Sequence, residues 1–226
     1  LDNGAGRIGL TWKPAAHWTT RFITSYEYSN QGGYPYGLYN ADKGTTEAVN
    51  YNNEGLYRRN LLTSGINIRY NGPHISFNSQ TSYQYIQDKM GIDQDFSPRN
   101  IFYGQNKIRQ HMYCQEFTVK SVNKSRYHWI TGAFVFRQTI NRKVDLSRFT
   151  DTTRHLTNSG IPTQGIAFYH QSTLDLLQGL SCSVGLRYDY EHARCDFSKV
   201  QQPLNGNGET KSLEQFNRSL HFGQFT

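Results

Sequence analysis

Hydrophobic and polar side chains alternate along most of this chain with a period of two. That is the spacing of a strand whose two faces meet different surroundings. The clearest run is Leu180 to Glu191. Leu180, Cys182, Val184, Leu186, Tyr188 and Tyr190 share one parity, and Ser181, Ser183, Gly185, Arg187, Asp189 and Glu191 share the other. With the less regular run from Gln164 it predicts a hairpin turning near Leu177-Gln178-Gly179.

The same alternation predicts strands over Gly6–Trp12, Trp18–Tyr28, Arg58–Tyr70, His74–Gln87, Ile108–Ser121 and Tyr127–Ile140, and the start of a ninth over Phe216–Thr226. In Tyr127–Ile140 both parities are apolar around Gly132-Ala133-Phe134-Val135-Phe136, so its faces are not assigned by pattern.

The connections alternate in length. Short turns are expected at Lys13-Pro14-Ala15, Asn71-Gly72-Pro73, 122–126 and 177–179, the Asn-Gly pair being a strong hairpin signal. Long loops are expected over 29–57, 88–107, 141–163 and 193–212. Strands of about 10 to 14 residues, against a usual 5 or 6, are long enough to cross a bilayer at a tilt. Aromatic residues sort with this scheme. Trp12, Trp18 and Tyr70 fall at the short-turn end of the apolar face, and Tyr26, Tyr28, Tyr83, Tyr85, Tyr113, Tyr188 and Tyr190 toward the long-loop end. Two girdles of rings flanking an apolar band are the mark of an outer-membrane barrel. The expected fold class is therefore all-β: a transmembrane antiparallel β-barrel segment of eight to nine strands, with short periplasmic turns and long extracellular loops.

Composition changes this picture little. The 226 residues have a mean hydropathy of −0.73, and no run of about 18 apolar residues exists, which excludes a membrane helix but not a barrel. The net charge of +7 is spread rather than clustered, so it reads as solvated faces or as a channel attractive to anions. No nucleic-acid motif accompanies it. Cys114, Cys182 and Cys195 make no disulfide framework and no metal spacing. Histidines are scattered, no nucleophile elbow is present, and no glycine loop matches a phosphate cradle. No enzyme, cofactor or metal is expected.

Two pairs of stretches resemble the barrel of TonB-dependent outer-membrane receptors. Cys114-Gln115-Glu116-Phe117-Thr118-Val119-Lys120-Ser121 with Trp129-Ile130-Thr131-Gly132-Ala133-Phe134 is similar to one strand pair of that family. Gly165-Ile166-Ala167-Phe168-Tyr169 with Leu180 through Asp189 is similar to another. Gly33-Tyr34-Pro35-Tyr36, with Asn50 and Arg58, resembles a loop of siderophore receptors. Cys114 and Tyr169-His170 depart from the family pattern.

The resemblance implies a slice of a barrel of about 22 strands with a plugged lumen. It carries no plug domain, TonB box or signal peptide in residues 1–226, and its last residues lack the aromatic end expected of a terminal strand. Implied partners are membrane lipid, a plug domain of the same protein, the TonB complex acting through that plug, and a small-molecule ligand such as a ferric siderophore. The implied location is the outer membrane of a Gram-negative bacterium.

The polar parity carries Arg7, Arg21, Glu27, Arg69, Glu116, Lys120, Arg187, Asp189 and Glu191. These are expected to face the lumen, as weak cross-strand pairs or as contacts to the plug or a passing anion. Plug contact is implied most directly for Arg187 and Asp189. In the first long loop Tyr34, Tyr36 and Tyr39, joined by Tyr51 and Tyr57, offer stacking surfaces, and Arg58 and Arg59 offer charge for an anionic aromatic chelate. Two other readings stand beside this one. A porin-like or eight-strand barrel predicts closure of the first strand on the eighth. A soluble β-sandwich binding module predicts that the apolar faces pack on each other.

Overall fold

The computed structural model describes residues 2–122, 125–206 and 208–226. It is a single antiparallel meander. Nine strands pair in chain order: β1 (Asp2–Ala15), β2 (Trp18–Gly32), β5 (Leu56–Asn71), β6 (Ile75–Asp93), β7 (Phe102–Ser121), β8 (Tyr127–Arg148), β9 (Thr153–Leu177), β10 (Leu180–Pro203) and β11 (Lys211–Phe225). Two short strands, β3 (Tyr39–Asn40) and β4 (Thr45–Thr46), make a separate ladder inside the β2–β5 connection. Each strand follows its predecessor through a turn, so each finds its partner next to it in sequence. Gln178-Gly179 closes the β9–β10 turn, where Gly179 takes φ 83°, a left-handed conformation that glycine adopts without steric cost.

Among the described residues, contacts between strands run only between sheet neighbours. No second sheet covers the first, and Ala167 is the one buried apolar residue among those described. This removes the sandwich reading. The eight-strand barrel is removed as well, because β10 pairs with β9 on one side and β11 on the other and does not touch β1. The sheet is open, with β1 and β11 as its edges.

Residues opposite each other in an antiparallel ladder share a face. The register therefore carries one face across the sheet. Ile8 pairs Thr24, then Ser64, Tyr83, Tyr113, Arg137, Gln164, His192 and His221. On this face the apolar band runs from Trp18 to Tyr28 on β2, Ile75 to Tyr85 on β6 and Leu180 to Tyr190 on β10. Each span is about 33 Å along its strand, or about 25 Å upright at a tilt of roughly 40°. Leu186 is 70% exposed and Ile8 68%, so no other described part of the chain covers the band. β8 is now assigned: Tyr127, Trp129, Ala133 and Val135 lie on the apolar face, and Ile130, Phe134 and Phe136 on the other.

Three of the four long loops are corrected. The segments 88–107, 141–163 and 193–212 are mostly strand, and the connections are only 94–101, 149–152 and 204–210. β8, β9 and β10 reach 22, 25 and 24 residues, well beyond the expected length. The reason is physical. Beyond the apolar band both faces are polar, so the period of two vanishes while backbone pairing continues, as in Lys143 opposite Asn158. Only 33–55 is long, and it holds β3 and β4. Part of the turn expected over 122–126 lies outside the described residues.

Candidate functional site: the polar wall and the loop end

All nine charged residues assigned to the polar parity lie on one face. Arg7, Arg21 and Glu27 stand on β1 and β2, Arg69 on β5, Glu116 and Lys120 on β7, and Arg187, Asp189 and Glu191 on β10. They do not form one cluster. The bonded centre is on β7 to β10. The Tyr169 hydroxyl lies 2.9 Å from the Thr118 hydroxyl and donates to Glu116 Oε1 at 2.9 Å. Arg187 donates to both oxygens of Asp189 at 2.7 to 3.0 Å, and its guanidinium sits 5.8 Å from the Tyr169 ring centre.

Tyr169 can reach two strands away because it lies across a glycine. A Cβ at Gly132, its ladder partner, would stand 2.3 Å from the Tyr169 ring. The ring therefore fills the space of the missing side chain, a device that stiffens a glycine in a sheet. Phe136 lies over Gly165 in the same way. These contacts give a structural reason for the glycines of both sequence patterns. Farther along, Asn67 donates to Asn78 and Gln80 at 2.7 and 3.2 Å. The polar face is thus a wall of neutral and charged hydrogen-bonded pairs.

At the loop end, the loops 33–55 and 94–101 are joined. Gly33 and Gly55 approach so closely that a Cβ on Gly55 would stand 2.5 Å from Gly33 Cα. The buried Asp93 carboxylate accepts from the amides of Asp95 and Phe96 and from the Asn53 amide at 3.1 to 3.2 Å. Asp95 accepts from the amides of Ser97, Ile101 and Phe102. Burial pushes its carboxyl up, but the hydrogen bonds from Ser97, Phe102 and Ile101 together hold it below the usual carboxylate range.

On this frame Tyr34 and Tyr36 stack at 5.9 Å, and Phe96 meets Tyr36 edge-on at 5.3 Å. Tyr39 stands apart on β3, 68% exposed. The two arginines expected beside them are on strand β5 and on opposite faces. Arg58 is on the apolar face, where its Nε donates to Asn30 Oδ1 at 2.9 Å. Arg59 is on the polar face, where it forms a two-point ion pair with Asp88 at 2.9 and 3.1 Å. Arg58 therefore does not join the tyrosines. Adjacent residues of one strand point to opposite faces, and both arginines lie in the strand expected over Arg58–Tyr70.

Tyr169, Phe96, Asp93 and Asp95 were not singled out by sequence. Carrying the hairpin register from the 177–180 turn would have set Tyr169 opposite Tyr188; a register shift between Leu180 and Ser181 moves it opposite Arg187, which pattern alone does not show. The aspartates carry no periodic signal, since their partners are loop amides.

No family model matches the sequence, and no curated protein matches it. A solved structure does: the chain is similar to the ferric yersiniabactin uptake receptor FyuA from Yersinia pestis, with a TM-score of 0.70 at 14% identity. The match covers 99% of this chain and 34% of that one, so the chain spans about a third of the receptor's length. The likeness establishes the fold: this sheet is a segment of the wall of a large antiparallel β-barrel.

Proposed function

We propose that this chain is part of the barrel of a TonB-dependent receptor in the outer membrane, serving the uptake of a scarce solute, most plainly a ferric siderophore. The observation that carries the reading is the two-sided wall. One face is an exposed apolar band ended by rings, and the other is a polar, hydrogen-bonded surface. The likeness to FyuA over nearly the whole chain supports it, as do the motif pairs at Cys114–Phe134 and Gly165–Asp189.

In this reading the apolar face meets lipid and the polar face meets the lumen. The Arg187–Asp189–Tyr169–Glu116 centre is fixed in place and offers a plug domain a surface that needs little reordering. The stacked Tyr34, Tyr36 and Phe96 form an aromatic platform where an aromatic chelate would first be held. The TonB complex then acts on the plug, not on this wall. No residue here takes a catalytic role, and no resident cofactor is required. The iron chelate is cargo.

The test uses the complete protein in the outer membrane of iron-starved cells. Uptake of radiolabelled iron is measured with phenolate, catecholate and hydroxamate siderophores, with and without the proton-motive force. Energy-dependent uptake of one class, weakened by Tyr36→Ala, is the expected result. A protein folded in the membrane that takes up none of them would count against the siderophore assignment.

A further inference from the structure

We propose that His192 and His221 form a two-imidazole site for a divalent cation of the zinc, copper or nickel class, at the β11 edge of the sheet. The two residues are directly opposite each other in the β10–β11 ladder. Side chains so placed start about 5 Å apart at Cβ. Their rings stack at 4.3 Å between centres and 21° between planes. Among the described residues no other two histidines face each other across a ladder.

The hydrogen bonding prepares this pair for ligation. The Tyr190 hydroxyl lies 2.8 Å from His221 Nδ1. A ligating histidine gives one ring nitrogen to such a partner and the other to the metal, and the partner fixes which is which. In the tautomer that donates Nδ1–H to the phenol oxygen, His221 Nε2 carries the lone pair. His192 is stacked on that ring, and among the described residues neither of its own nitrogens has a hydrogen-bond or ionic partner. Two nitrogens bound to a tetrahedral ion are about 3.3 Å apart. Side chains starting about 5 Å apart reach that separation by rotation about χ1 and χ2, with the backbone unmoved.

The surroundings accept a cation. Arg194, two residues past His192 on the same face, is held by Asp196 at 2.6 to 3.0 Å. Gln164, opposite His192 on β9, is neutral and separates the pair from Arg137 on β8. His221 is exposed and His192 half-buried. Both lie just past the Leu180–Tyr190 band, where the face turns polar, so a hydrated ion reaches them. Imidazole nitrogens suit zinc, copper and nickel, whereas calcium and magnesium prefer oxygen. Two protein ligands leave the remaining positions to water, an open site rather than a closed structural one. The pair lies on the face opposite to the polar wall. It is therefore separate from the solute route proposed above and does not depend on the siderophore reading.

The test uses the complete protein, free of any polyhistidine tag, folded in a neutral detergent and stripped with a chelator. Zinc binding is measured by calorimetry, and bound copper(II) is examined by electron paramagnetic resonance for coupling to imidazole nitrogens. His192→Gln and His221→Gln should each lose one zinc ion and the two-nitrogen copper signal. His111→Gln should bind as the unaltered protein does, since His111 bonds a tyrosine on the same face but faces no second histidine. Tyr190→Phe should weaken zinc binding about tenfold, the cost of losing a partner that orients a ligand.

If the glutamine variants do not fold, His221→Phe keeps a ring against His192 and should lose the ion all the same. Zinc binding that is absent from the unaltered protein, or unchanged in the variants at His192 and His221, overturns the proposal. So does an equal loss in His111→Gln.

Discussion

The assignment of faces can be tested at two adjacent residues. Val184 is on the apolar face of β10, 64% exposed and near the middle of the Leu180–Tyr190 band. Ser183 is on the polar face, where its hydroxyl is 2.8 Å from that of Thr173. If the apolar face meets lipid as proposed, an arginine placed at Val184 enters the hydrocarbon of the bilayer, at a cost of about 2 to 4 kcal/mol near the midplane. An arginine at Ser183 meets the wet lumen and loses one exposed hydroxyl contact, about 0.5 kcal/mol. The two substitutions differ by one position and by about 3 kcal/mol.

The assay is urea unfolding of the complete protein in phospholipid vesicles, followed by tryptophan fluorescence. Taking a slope of about 3 kcal/mol per M, Val184→Arg should lower the midpoint by about 1 M and Ser183→Arg by less than about 0.3 M. Equal shifts, or a larger shift for Ser183→Arg, would refute the reasoning, because then neither face is distinguished by lipid.

Three more outcomes are expected. Tyr169→Phe deprives Glu116 and Thr118 of their shared hydroxyl and should cost about 1 kcal/mol in the same unfolding assay. Gly132→Ala should cost a similar amount by pushing the Tyr169 ring off its partners, and the two changes together should cost little more than either alone, which a double-mutant cycle measures. The Asp95 carboxyl titrates lower in the folded than in the unfolded chain. Its contribution is complete above an unfolded value of about 3.9 and is lost as pH falls through the folded value, so the protection of the Ser97, Ile101 and Phe102 amides against exchange, relative to their intrinsic rates, should fall in acid and, for Asp95→Ala, at neutral pH also.

Within the apolar band the sequence alone sufficed for every strand except β8, where both parities are apolar around Gly132–Phe136. One surface there is lipid-like and the other wet, so every second residue reports its face, and Leu186 and Arg187 declare opposite sides without any coordinates. The short turn at Gln178-Gly179 was legible for a similar reason, since Gly179 takes a left-handed conformation that glycine adopts without steric cost. Tertiary structure decided what lies outside the band. There both faces are solvated, the alternation stops, and strand is indistinguishable from loop by pattern, which is why β8 to β10 run on through segments expected to be loops. It also decided which residues meet across strands. The Tyr169–Glu116 bond, the parting of Arg58 from Arg59, and the facing of His192 and His221 all depend on register, and register is a sum over the whole ladder rather than a property of any one segment.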